Sequence, residues 1–178
     1  VLRRVPNLTE ATLSWLDQYQ KGKLVVEVDT KDLTREIARI GDIAYNPVDR
    51  SLWGLRHNNG FVMIVRIPYP YTEWKAVHVY PYGEVAFDLD VALDGKLVSL
   101  SLAGPDGDRS GVQAMQLHVM STEQLLAGDA TPLHKFEMGT AVPEGFVFSP
   151  DGRYLYGSSY YTGVSNLYRY DLQSGQIE

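Results

Sequence analysis

Phe146-Val147-Phe148-Ser149-Pro150-Asp151-Gly152-Arg153-Tyr154-Leu155-Tyr156 decides the fold class of this chain. Two short runs of aromatic and aliphatic residues flank a compact turn. Pro150 presets φ at about −65° to open the turn, and Gly152 can take the positive φ that closes it. Asp151 can bond the backbone ahead of it. Strand-forming residues bounded by turn residues predict an antiparallel hairpin. Further on, Leu167-Tyr168-Arg169-Tyr170 alternates bulky groups with a charge and predicts a half-exposed third strand. A second turn follows at Gln173-Ser174-Gly175.

The same order of parts occurs twice upstream. Ile43-Ala44-Tyr45-Asn46-Pro47-Val48-Asp49-Arg50-Ser51-Leu52-Trp53 reads as strand, Asn-Pro turn and strand, with residues 61–67 as partner after Asn58-Asn59-Gly60. Phe87-Asp88-Leu89-Asp90-Val91-Ala92-Leu93-Asp94-Gly95-Lys96-Leu97-Val98 repeats it around an Asp-Gly turn, with residues 112–120 as partner. The copies lie about 46 and 57 residues apart, near the range of propeller repeats. The longer unit carries the extra loop Gly104-Pro105-Asp106-Gly107-Asp108-Arg109-Ser110-Gly111.

The Ser149-Pro150-Asp151-Gly152-Arg153 turn, the aromatic-rich strand after it and Asp171-Leu172-Gln173-Ser174-Gly175 resemble the blades of TolB-type, WD-repeat-like β-propellers of bacteria. The last unit matches well. Asn46-Pro47-Val48-Asp49 and Leu93-Asp94-Gly95 keep only fragments of the turn. The resemblance covers residues 41–178 and implies a fold, because these turns are structural. It also implies a periplasmic or cell-envelope setting, and the contexts in which such blades occur: scaffold proteins, binding proteins and accessory domains of larger peptidases.

Counting strands predicts an all-β partial propeller of about three four-stranded antiparallel blades with a short N-terminal helix. Residues 1–40 would hold the helix and half a blade, 41–81 and 82–139 a blade each, and 140–178 a blade lacking its outermost strand. Asn7 can cap a helix over residues 8–20, with Glu10 completing the reciprocal bond and Gly22 supplying a stop. Residues 24–29 and 35–40 read as strands. Closed propellers have about four to eight blades, so the chain reads as a segment of a larger one. Open end blades expose apolar faces and strand edges, which predicts a homodimer.

Composition agrees with this reading. A chain of 178 residues that is 44% hydrophobic is long enough for one domain with a real core. No stretch approaches the length of a membrane span. The absence of cysteine excludes disulfides and thiolate metal sites. A formal charge of −6 without a Lys/Arg run argues against nucleic acid and anionic lipid as partners.

Chemistry-bearing motifs are sparse. His57, His78, His118 and His134 show none of the spacings that place two imidazoles on one metal. No Gly-x-Ser-x-Gly elbow exists, and Ser158-Ser159 falls in a predicted strand. Asp106 and Asp108, with Ser110, offer oxygens as a calcium loop would, yet the EF-hand spacing and its terminal Glu are absent. A solvated hairpin tip is the better reading. Asp88 and Asp90 share one strand face by period two, either as a carboxylate pair or as the polar lining of a central channel. No cofactor is implied.

Aromatic loops are the binding candidates. Tyr69, Tyr71 and Trp74 sit among prolines, Tyr80-Pro81-Tyr82 repeats that pattern, and Tyr160 and Tyr161 occupy a hairpin tip. Rigid rings supply contact area at little entropic cost, which suits recognition of a protein, peptide or glycan. The competing reading packs these rings between blades. The function expected is therefore a non-catalytic binding or scaffold segment of a larger TolB-like propeller protein. The alternative is an accessory propeller of a hydrolase or peptidase, gating or positioning substrate for a catalytic domain outside this segment.

Overall fold

The computed structural model describes residues 40–105 and 113–178. They form three four-stranded antiparallel sheets. The first contains β1 (Ile40–Tyr45), β2 (Leu52–Asn58), β3 (Phe61–Ile67) and β4 (Lys75–Val79), side by side in that order. The second contains β5 (Val85–Val91), β6 (Leu97–Pro105), β7 (Gln113–Ser121) and β8 (His134–Glu137), again in chain order. The third contains β9 (Pro143–Phe148), β10 (Tyr154–Ser159), β11 (Asn166–Asp171) and β12 (Gln176–Ile177).

One expectation changes. The last sheet does not lack its outermost strand: β12 pairs with β11 through Tyr170 with Ile177 and Asp171 with Gln176. Asp171 turns the chain back, its backbone carbonyl accepting the Gly175 N–H at 2.8 Å and its carboxylate the Gln173 N–H at 2.9 Å. The described helix, α1 (Thr122–Leu126), follows β7. Ser121 caps it, its hydroxyl accepting the Gln124 N–H at 3.3 Å. The helix expected over residues 8–20, the strand at 24–29 and most of that at 35–40 lie outside the described residues.

The turn after each innermost strand is built alike. Asn46, Ala92 and Ser149 donate their N–H groups to the carbonyls of Ser51, Leu97 and Tyr154, at 2.9, 3.0 and 2.8 Å. In the third copy Gly152 takes a φ of 71°, as the Pro-Asp-Gly sequence requires. The Ser149 hydroxyl donates to Asp151 at 2.5 Å and accepts the Tyr154 N–H at 2.9 Å. In the first copy Arg50 carries the positive φ, 61°, one place later. The missing glycine there explains why that turn looks fragmentary in sequence.

Alternation along β6 and β7 makes the second sheet the middle layer. Val98, Leu100 and Leu102 lie on one side and join a core with Trp53, Leu55 and Ile64 of the first sheet. Leu117 and Val119, paired across from Ser101 and Ser99, lie on the other side and join Phe146, Leu155, Tyr168 and Tyr170 of the third. Ser99 and Ser101 are fully buried. Their small size leaves room for the large rings opposite. The Ser101 hydroxyl also donates to the Pro143 carbonyl at 3.1 Å, fastening β6 to β9.

The innermost strands run in the same direction. Asp42 of β1 bonds Asp88 of β5, and four residues along, the Asn46 amide reaches the Gly95 carbonyl at 3.4 Å. Asp88 and Asp90 bond Gly145 and Phe148 of β9 in turn. Hairpin connectors therefore gather at two opposite ends. The β1–β2, β3–β4, β5–β6, β9–β10 and β11–β12 connectors share one end with α1. The β2–β3, β4–β5, β8–β9 and β10–β11 connectors share the other.

Candidate functional site

The two groups of aromatic candidates stand at opposite ends of the sheets. Tyr69, Tyr71 and Trp74 belong to the β3–β4 connector, whereas Tyr160 and Tyr161 belong to the β10–β11 connector. The two groups therefore present separate surfaces, because hairpin connectors of consecutive strands alternate between ends.

At the first end, the Tyr71 N–H closes a tight turn on the Pro68 carbonyl at 2.7 Å. The Tyr69 and Tyr71 rings meet edge to face with centroids 5.5 Å apart, and both are exposed. Arg50, from the β1–β2 turn, lays its guanidinium over Tyr69 at 3.9 Å from the ring centroid, a cation–π contact. Nothing in the sequence signals this partner, since Arg50 reaches the ring only through the fold. Partial burial and the neighbouring Tyr45 push the Tyr71 phenol upward. Trp74 is half-buried and stacks with Arg56 at 4.6 Å. Asp49 anchors the adjoining turn. Burial would raise its carboxyl, but hydrogen bonds from Ser51 and the Arg66 guanidinium, 2.8 Å away, hold it below the usual range.

At the opposite end, Tyr160 is 61% and Tyr161 49% exposed, so neither packs as a core ring. The Gly163 N–H bonds the Tyr160 carbonyl at 2.8 Å, and Thr162 lies 3.1 Å from the buried Tyr168 hydroxyl. Those bonds fix the tip on the sheet. Tyr80 behaves differently from its neighbour Tyr82: it is buried, with its hydroxyl 3.9 Å from the Met120 sulfur. Tyr80 thus follows the packing reading, while Tyr82 is 73% exposed.

Asp88 and Asp90 do not act as a carboxylate pair. The extra residue of a bulge between Phe87 and Asp90 breaks the period-two register, and Asp88 adopts a φ of 55°. Each carboxylate accepts a backbone N–H of β9, Asp88 from Gly145 at 2.8 Å and Asp90 from Phe148 at 2.9 Å. Asp106 and Asp108 lie outside the described residues. Among the described residues no group of three or more His, Asp or Glu is placed to hold a metal. His78 packs edge-on to Tyr80, His134 stacks with Phe136, and buried His118 bonds Gln116 at 2.9 Å. Ser158 and Ser159 lie in β10, with Ser159 buried.

Neither a family model nor a curated protein matches the chain. Solved structures do. The chain superposes on the uncharacterized protein lmo1340 from Listeria monocytogenes EGD-e with a TM-score of 0.59 at 8% identity, covering 80% of this chain and 40% of that one. TolB from Acinetobacter baumannii gives 0.54 at 16% identity, covering 78% of this chain and 31% of that one. The β-propeller domain of the trilobed protease from Pyrococcus furiosus gives 0.53 at 13% identity, covering 79% and 41%.

The fold is a partial β-propeller.

Each sheet is a blade, with β1, β5 and β9 innermost, and the chain spans less than half the length of these three structures. At such identities the likeness establishes architecture. The resemblance to TolB-type blades first seen in the Ser149–Arg153 turn holds at that level.

Proposed function

We propose that this chain is a non-catalytic binding or scaffold segment of a larger TolB-like propeller protein, recognising a protein, peptide or glycan through loop aromatics. One observation carries the reading. Tyr69 and Tyr71 are held edge to face on an exposed connector, backed by Arg50, although burial would stabilise such rings more. Rigid, partly desolvated rings are the usual anchors of a recognition surface. Tyr160 and Tyr161 would form a second contact region at the other end of the blades. The compartment that fits is the periplasm or cell envelope.

The open face of the third blade, where Leu167 is 86% exposed beside exposed Tyr156, would pair with a second copy and give a homodimer. A second reading draws on the likeness to the propeller domain of the trilobed protease. Here the blades are an accessory part of a hydrolase or peptidase and gate substrate. A catalytic elbow or zinc helix encoded next to this segment would favour it.

The deciding experiment captures ligands from a periplasmic extract and on a glycan array, using the wild type and a Tyr69→Ser/Tyr71→Ser variant. Retained folding with lost capture supports the proposal. Equal capture by both proteins rejects these rings as the binding surface.

A further inference from the structure

A groove of about 480 Å³ opens between the β2–β3 turn and the β4–β5 connector, lined in part by His57, Gly60, Phe61, Glu84 and Val85. It is separate from the loops carrying Tyr69 and Tyr160, and stands whether or not those bind. Its shape comes from Gly60. A Cβ at this position would lie 2.4 Å from the Tyr82 ring, so the bare backbone lets that ring rest on the turn. The Gly83 N–H bonds the Gly60 carbonyl at 3.3 Å and fixes the two segments together. Tyr82 then stands edge to face with Phe61, centroids 5.4 Å apart, both rings exposed.

Glu84 supplies the charge. It is half-buried beside the bare backbone of Gly104, and burial raises its carboxyl above the ordinary range. Among the described residues no Lys, Arg or His lies within ion-pairing distance of it. A partly desolvated carboxylate lowers its free energy by gaining a cation. Aromatic faces nearby attract the same kind of ligand. A planar guanidinium satisfies both demands, since it can fork onto a carboxylate and stack on a ring. The chain's formal charge of −6 favours approach of a basic partner.

We propose that the groove beside Glu84, Phe61 and Tyr82 binds the guanidinium of an arginine presented by a partner peptide or protein. Glu84 accepts its N–H groups, and Phe61, braced edge to face by Tyr82, forms the apolar wall. The exposed position of the rings follows from this role.

Acetyl-arginine methylamide, titrated into the full ¹⁵N-labelled chain, tests the proposal against the uncharged isostere acetyl-citrulline methylamide. The arginine compound should give saturable shifts centred on residues 57–61 and 82–85. The citrulline compound should bind about ten-fold or more weakly. Glu84→Gln should bring the arginine compound to the citrulline level with an otherwise unchanged spectrum, and Phe61→Leu should weaken it about three-fold. Equal titration by the two compounds, or shifts confined elsewhere, would overturn the assignment. So would full arginine binding by the folded Glu84→Gln variant.

Discussion

Asp42 stands to Asp88 as Asp88 stands to Gly145. The Asp42 carboxylate accepts the Asp88 N–H at 2.8 Å across 46 residues, and the Asp88 carboxylate accepts the Gly145 N–H at 2.8 Å across 57. The three residues occupy one repeat position, at the irregular point of each innermost strand. Asp88 and Gly145 take positive φ values there, 55° and 63°. A carboxylate in one blade thus ties down the bulge of the next, and the ladder of ties sets the blades in register.

Asp88 is the middle rung and the best place to test that role. Asp88→Ala removes the acceptor of a charge-assisted bond and puts alanine at a positive φ. The expected loss is about 2–3 kcal/mol in urea unfolding. Asp88→Asn keeps an acceptor and tolerates the backbone, so about 1 kcal/mol or less is expected. Equal losses for the two would show that the bond contributes nothing.

The pH dependence of that pair follows from burial. Burial raises the Asp88 carboxyl, with Asp42 and Glu144 adding to the rise while the Gly145 N–H opposes it. A carboxyl raised by folding contributes stability in its protonated form, and this is lost as pH climbs through the raised value. Wild type should therefore gain on Asp88→Asn as pH falls from neutral to about 4. Parallel stability curves for the two proteins would contradict the assignment.

His118 acts in the opposite direction. Burial, helped by Lys135 and opposed by Glu137, pushes the imidazole down to about 4. Its neutral form is the folded one. The stability it contributes is complete above the unfolded value of about 6.5 and is lost as pH falls toward 4. His118→Gln should shrink the acid loss between about pH 6.5 and 4 by on the order of 3 kcal/mol at most. Unfolding midpoints measured across that range decide the matter.

Ring exposure sorts the tyrosines. Tyr160→Ser/Tyr161→Ser and Tyr69→Ser/Tyr71→Ser should each change stability by about 1 kcal/mol or less. Tyr170→Ser, which removes a ring 3.9 Å from Phe136 and 3% exposed, should cost about 3 kcal/mol or more. A large drop in melting temperature for the loop variants would return those rings to the core.

Leu117 and Leu167 offer the matching contrast for aliphatic groups. Leu117, fully buried between the second and third blades, should lose about 2–5 kcal/mol on truncation to alanine. Leu167→Ser should leave folding intact and reduce self-association, read by light scattering at high concentration. A strictly monomeric wild type would remove the homodimer from the proposal.

How far the sequence could be read depended on the length of each signal. The Ser149-Pro150-Asp151-Gly152 hairpin was legible because proline, aspartate and glycine each fill a defined turn position. Ser121 and Gln124 carried a capping signal for α1, but five helical residues between two strands give too little periodicity to weigh. β12 escaped because two residues make no pattern. The bulge at Asp88 escaped because local alternation continues through it, and only pairing with β6 reveals the extra residue. Among the site candidates, composition marked the aromatic loops. The opposite placement of Tyr69 and Tyr160, and the seating of Tyr82 on Gly60, depend on how the hairpins stack.

Radial order of the blades is tested most directly by nuclear Overhauser contacts in the labelled chain. Contacts are expected from the Asp88 amide to the Asp42 side chain, from the Gly145 amide to the Asp88 side chain, and from Leu117 to Tyr170. Contacts that wedge the first blade between the second and third, or that show the three sheets sharing no faces, would contradict it.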